Sequence, residues 1–253
     1  MRIIFEANQL EKTLKDVVRI IPASARTNTH KFVLITANKE EATVEFETSS
    51  HDVSMRRTLV DTLVQSPATI LESGVCLLPA REFLEIVKRA GDKVELSVKA
   101  RGVDATIQFG KAKFDLRGLD PATFAPYRND EEESSRIEVT ALALRALLEQ
   151  TTYACSLSEV RPALTGVNFT LSDGLLHATA TDSLRLAKMT VKGTTEGSAK
   201  GNLTIPKTPL DSMAAILPKD DDELVSLELG NTALVATWND AGTQFVMRAL
   251  EGS

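Results

Sequence analysis

The chain repeats its own pattern, and a duplicated pattern leaves few folds open to it. Arg2-Ile3-Ile4-Phe5 leads into Leu10, Leu14, Val17, Val18 and Ile21, apolar residues at helical spacing. The same order returns at Arg136-Ile137-Glu138-Val139, followed by Leu142, Leu144, Leu147 and Leu148. A second pair is denser: Gly74-Val75-Cys76-Leu77-Leu78-Pro79 matches Gly201-Asn202-Leu203-Thr204-Ile205-Pro206. Each is a short strand, a proline and then an amphipathic helix. Proline suits that place because the first helical turn needs no N–H from it. Strand patterns follow both helices, Val94 to Val98, Asp104 to Phe109 and Lys113 to Leu116 against Leu224 to Leu229, Ala233 to Trp238 and Gln244 to Met247. Their alternation predicts antiparallel sheets with one buried face. The expected class is α+β: two homologous domains, each made of two strand–helix–strands halves. The first covers 1–128 and the second 136–253, joined by the acidic stretch 129–135.

Composition narrows the function. Of the 253 residues, 43% are hydrophobic and 25% charged, as in ordinary globular proteins. No apolar run reaches the roughly 20 residues of a membrane-spanning helix. Cys76 and Cys155 show no CxxC spacing, which predicts reduced thiols and a cytoplasmic setting. His30, His51 and His177 are scattered, without metal-ligand spacing, and no phosphate loop, dinucleotide fingerprint or nucleophile elbow occurs. No cofactor and no catalytic role are expected. The net charge of -6 argues against bulk electrostatic grip on nucleic acid, unless basic side chains gather on one surface. They do so on the first helix. At 100° per residue, Lys12, Lys15 and Arg19 share the face opposite the apolar one, flanked by Glu11 and Asp16. The second helix carries Arg81, Lys88 and Arg89 beside Glu82 and Glu85, and Lys207 opens the fourth. Ordinary solvated helix faces account for such charges equally well.

Two motifs in the second half are specific. Val160-Arg161-Pro162-Ala163-Leu164-Thr165-Gly166-Val167-Asn168-Phe169 is followed by Ala180-Thr181-Asp182-Ser183-Leu184-Arg185-Leu186-Ala187. Together with the segment from Val75 to Phe83, they make the chain resemble the first two of three domains of the bacterial DNA polymerase III beta subunit, the beta sliding clamp family. The resemblance implies a DNA clamp fold with helices lining a ring and sheets outside it. It implies a non-catalytic processivity factor that encircles double-stranded DNA through backbone contacts, with Arg26 matching a DNA-touching arginine. Lys12, Lys15, Arg19, Arg81 and Lys207 are the other expected DNA contacts. DNA polymerase III and the clamp loader are the implied partners. They would dock a short peptide on Arg161, Leu164, Thr181, Ser183, Leu184, Arg185 and Leu186. Leu164 and Leu186 would form an apolar floor, and the two arginines would bond peptide carbonyls or a carboxylate.

Thr181-Asp182-Ser183 is equally a turn or helix-cap sequence, with Arg185 pairing to Asp182. Phe114 and Leu116 match the family's subunit-interface strand, and a homo-oligomeric ring is implied. The third domain would complete the peptide groove, so weaker peptide binding is expected of these two domains alone. The alternative is a truncated, monomeric clamp relative that binds clamp partners without encircling DNA.

Overall fold

The computed structural model describes residues 1–21, 28–61, 66–99, 102–127, 134–195, 199–239 and 242–251. The chain divides into two units, Met1–Pro126 and Tyr127–Ser253. In the first, β1 (Arg2–Glu6) and α1 (Ala7–Ile20) precede β2 (Phe32–Asn38), β3 (Thr43–Ser49), β4 (Val53–Val60) and β5 (Ala68–Glu72). Then β6 (Gly74–Pro79) and α2 (Ala80–Val87) precede β7 (Lys93–Val98), β8 (Asp104–Phe109) and β9 (Ala112–Arg117). The second unit repeats this order. It has β10 (Ser135–Thr140), α3 (Ala141–Glu149), β11 (Gly166–Ser172), β12 (Leu175–Thr181), β13 (Leu186–Lys192) and β14 (Thr194–Thr195). Its second half has β15 (Gly201–Pro206), α4 (Lys207–Ala214), β16 (Leu224–Leu229), β17 (Ala233–Trp238) and β18 (Thr243–Arg248). The acidic stretch expected as linker, 129–135, overlaps β10 by one residue, Ser135.

The halves of each unit interlock. Each strand before a helix pairs with a strand of the other half, and β1 and β10 also pair on their far side with the last strand of their own half. In the first unit β1 lies between β5 and β7 in the sheet β5-β1-β7-β8-β9, while β6 pairs with β2 beside β3 and β4. In the second, β10 joins β14, β16, β17 and β18, and β15 joins β11, β12 and β13. All these pairings are antiparallel, as the alternating patterns predict. In β1, Ile3 and Phe5 point inward and are fully buried, and Phe5 meets Phe46 of β3 at 5.9 Å. Burying each such side chain contributes about 1.5–3 kcal/mol.

Each unit packs its two helices together on one side of its core. The first helical N–H of α1 and that of α3 each have an external acceptor, the carbonyl of the residue just before β7 and β16 respectively. Ala7 N–H donates to Asp92 O at 2.7 Å, and Ala141 N–H donates to Glu223 O at 2.8 Å, satisfying a donor that no helix can satisfy internally. The helices differ in length. α1 runs 14 residues and α3 only 9. Past the end of α3 the buried Thr151 hydroxyl donates to Leu147 O at 2.7 Å, and the chain turns through a 3-10 helix, Thr152–Ala154. The shorter helix frees the chain to form the loop described below.

One helix-face expectation is corrected and the other holds. Val18 is half-buried and packs against the core, as its phase predicts, and Ile20 is buried as well. Leu142, expected on the apolar face of α3, is exposed, since it lies in the first turn outside that stripe. Phe114 and Leu116 sit half-buried on β9, the edge strand of its sheet, where Phe114 stacks on Phe109 at 5.6 Å.

Candidate functional site

In the second unit two short segments come together. The first is the loop after Cys155. Ser156 N–H donates to Leu164 O at 2.7 Å and closes it. It ends in a 3-10 turn, Pro162–Thr165, with Arg161 at its N-cap and Pro162 in its first turn. The second is the connection from β12 to β13, residues 182–185. Here the turn chemistry is dense. Thr181 Oγ1 accepts from Ser183 N–H at 3.1 Å and donates to Arg185 O at 2.7 Å. Asp182 Oδ1 accepts from the N–H groups of Leu184 and Arg185, both at 3.0 Å. Ser183 is held at φ 78, a left-handed conformation that a non-glycine residue adopts only when its neighbours fix it. The two N–H bonds hold the Asp182 carboxyl below the usual carboxylate range, with the Arg185 charge adding to them.

The expected Asp182–Arg185 pair is present, Nε to Oδ2 at 2.9 Å. The Arg185 guanidinium also lies 5.6 Å from the centre of the Tyr153 ring, within cation–π reach. Arg161 Nη1 donates to Ser183 Oγ at 3.5 Å, the long limit of a hydrogen bond. Among the described residues no carboxylate lies within ion-pair distance of Arg161. Thus Arg185 is fixed on two sides, and Arg161 is not.

Around these groups stand aliphatic side chains in water. Leu184 is 96% exposed, Leu157 93%, Val160 88% and Leu186 66%. Leu164 is half-buried. Exposed aliphatic side chains gathered in one unit mark a contact surface more often than chance. Leu157, Val160 and Tyr153 were not expected as site residues. Leu157 and Val160 interrupt a polar loop, which is a readable signal. Tyr153 carries none, because its partner Arg185 is supplied by a distant strand end.

The basic helix faces are only partly free. Lys12, Lys15 and Arg19 are exposed on α1, as their phase predicts. Lys15 pairs with Glu11 at 2.6 Å, however, and Lys207 with Asp211 at 3.0 Å. Arg81 donates to Ile21 O at 3.0 Å, satisfying a carbonyl at the end of α1. Arg26 lies outside the described residues. Burial pushes the Cys76 thiol up to about 12 and the Cys155 thiol to about 11, so neither is a ready nucleophile. Among the described residues no group of three or more His, Cys, Asp or Glu could hold a metal ion, and no helix is long and apolar enough to cross a membrane. The histidines are not all scattered: His30 and His51 meet edge to face, ring centres 4.8 Å apart.

Comparison with known proteins covers the whole chain. The family described as DNA polymerase III beta subunit, N-terminal domain, matches residues 1–127, and the same subunit's central domain matches residues 138–253. A beta sliding clamp of Staphylococcus epidermidis is 32% identical over 247 residues, 97% of this chain and 62% of that protein. That of Bacillus subtilis is 31% identical over 255 residues, 100% of this chain and 66% of its own length. The crystal structure of the Bacillus subtilis DNA polymerase sliding clamp matches with a TM-score of 0.92 at 30% identity, over 100% of this chain and 65% of that one. The DNA polymerase III subunit beta of Pseudomonas aeruginosa, at 21% identity, a TM-score of 0.88, and 100% and 66% coverage, shares the fold. The chain therefore spans less than two thirds of the length of these relatives.

Proposed function

The chain belongs to the DNA polymerase III beta subunit family, and from that premise we propose that it acts as part of a sliding clamp, a non-catalytic scaffold in the bacterial cytoplasm that holds replication proteins on duplex DNA. The observation that carries this reading is the surface on the second unit, where Leu157, Val160, Leu184 and Leu186 stand in water around two guanidinium groups. Such a set suits a short peptide with an aliphatic anchor, contributed by the polymerase or the clamp loader. A buried anchor supplies most of the affinity, and hydrogen bonds at the rim fix direction. Arg185, held by Asp182 and Tyr153, is pre-organised to donate to a peptide carbonyl. Arg161, without a carboxylate partner among the described residues, is the group that takes a charged one.

The helix faces would meet DNA through Lys12, Lys15, Arg19, Arg81 and Lys207, and Arg26 is the further contact that the family resemblance implies. Neutralised in part by their own neighbours, they would hold the duplex weakly, as a ring that slides requires. The exposed edge of β9, with Phe114 and Leu116, is the surface for a neighbouring copy, since an unpaired strand edge adds a further strand readily.

Fluorescence anisotropy with a labelled, leucine-bearing peptide from a clamp loader tests the peptide surface. The chain should bind it, and Leu184→Ser with Leu186→Ser should weaken binding at least about tenfold, roughly 1.4 kcal/mol. Binding that is indifferent to both substitutions would place the peptide elsewhere and overturn the reading.

A further inference from the structure

The duplication supplies a counterpart to this surface in the first unit. From Arg2 and Arg136 to Phe32 and Gly166, the two units keep one constant offset, so the 3-10 turn Asn28–Lys31 corresponds to Pro162–Thr165 and His30 to Leu164. The connection 50–53 corresponds to 182–185, since each joins a paired residue of one strand to its partner in the next, Ser49 to Ser54 and Thr181 to Leu186. In the second unit these two segments present aliphatic side chains to water. In the first they are held to each other by the edge-to-face contact of His30 and His51 at 4.8 Å. The turn beneath is closed by Ser50 N–H donating to Val53 O at 2.7 Å, with the Ser50 hydroxyl donating to the same oxygen at 3.4 Å.

We propose that His30 and His51 form a proton-sensitive latch, which holds the connection 50–53 against Asn28–Lys31 at neutral pH and releases it as the pair takes up protons. Two imidazolium rings at this distance repel each other, and an imidazole edge packed on a neutral ring loses its attraction once both are charged. The ionisable neighbours within these two segments are Lys31 and Asp52, both exposed. Burial, and then the charge of His51, hold His30 below the ordinary imidazole value, and no other charged group contributes to that shift. The sign follows: the folded state binds this proton less readily than the unfolded chain. The contact therefore contributes fully above the unfolded value of about 6.5, and its contribution falls as pH drops below it.

Ring-proton titration by NMR and amide exchange on the full chain test the latch. His30 should titrate below the ordinary range and move back up in His51→Phe. The Ser50 amide, corrected for intrinsic exchange, should lose protection about tenfold between pH 7.5 and pH 5.5. The double variant His30→Phe, His51→Phe keeps the ring contact without an ionisable nitrogen and should lose that pH dependence. Titration of His30 at the ordinary value in the unsubstituted chain would overturn the latch. So would equal Ser50 protection at both pH values, or the same loss of protection in the double variant.

Discussion

Asp182 does the most local work in the second unit. One oxygen holds two N–H groups of its own turn and the other holds Arg185. Its carboxyl is lowered by those bonds, so its contribution is present above the unfolded value of about 3.9 and is lost as pH falls through the lower folded value. Protection of the Leu184 and Arg185 amides should hold from neutral pH down to about 4 and fail only below it, read by amide exchange. Asp182→Asn retains an acceptor for the turn but releases Arg185, whereas Asp182→Ala loses both. Equal amide protection in the two variants would contradict this division. The Asp182–Arg185 pair was legible because both partners lie within one turn. The third partner, Tyr153, was not, because ring and guanidinium meet only once α3 has ended early and β12 has come alongside.

At the scale of the element, α1 shows what periodicity reads and what it leaves out. The apolar stripe and the basic face follow from phase alone, with Ile20 buried in addition. Asp16, expected merely to flank the basic face, instead reaches Arg57 of β4 at 3.0 Å, with both side chains less than a fifth exposed. Burial raises the Asp16 carboxyl, although Arg57, Lys12 and Arg19 oppose the rise. Desolvation thus outweighs attraction at this carboxyl, and the pair should not be read as a large net stabiliser. Two substitutions should separate the effects in urea unfolding. Asp16→Asn removes the buried charge and should cost no more than about 1 kcal/mol. Arg57→Met strands the carboxylate and should cost about 3 kcal/mol at neutral pH. The stranded acid has its pKa raised further, so that cost should shrink as pH falls toward the carboxylate range. A larger loss from Asp16→Asn than from Arg57→Met would reverse this ranking.

At the scale of the whole molecule, a net charge of -6 and partly neutralised helix faces set the expected strength of DNA contact. Each phosphate neutralised steepens the logarithmic salt dependence by about 0.9. With Lys15 and Lys207 already paired, linear duplex should be bound weakly, with a slope between about -2 and -4. Lys12→Ala should make that slope shallower by about 1, and Lys207→Ala should barely change it. Anisotropy across a salt series reads both, and an equal effect of the two would mean that DNA displaces Asp211 from Lys207.

The sequence by itself determined the duplication, the class of the fold, the antiparallel strands and their phase. It also supplied the motifs that gather Arg161 and Leu164 with Thr181 to Leu186. These are local or repeated patterns, and alternation and helical phase act over a few residues. Tertiary structure decided that each pre-helix strand crosses to the other half's sheet, that Arg185 rather than Arg161 is immobilised, and that His30 meets His51. Those outcomes depend on side chains far apart in the chain being brought within a few ångströms by shared burial, a distance that no spacing along the sequence encodes.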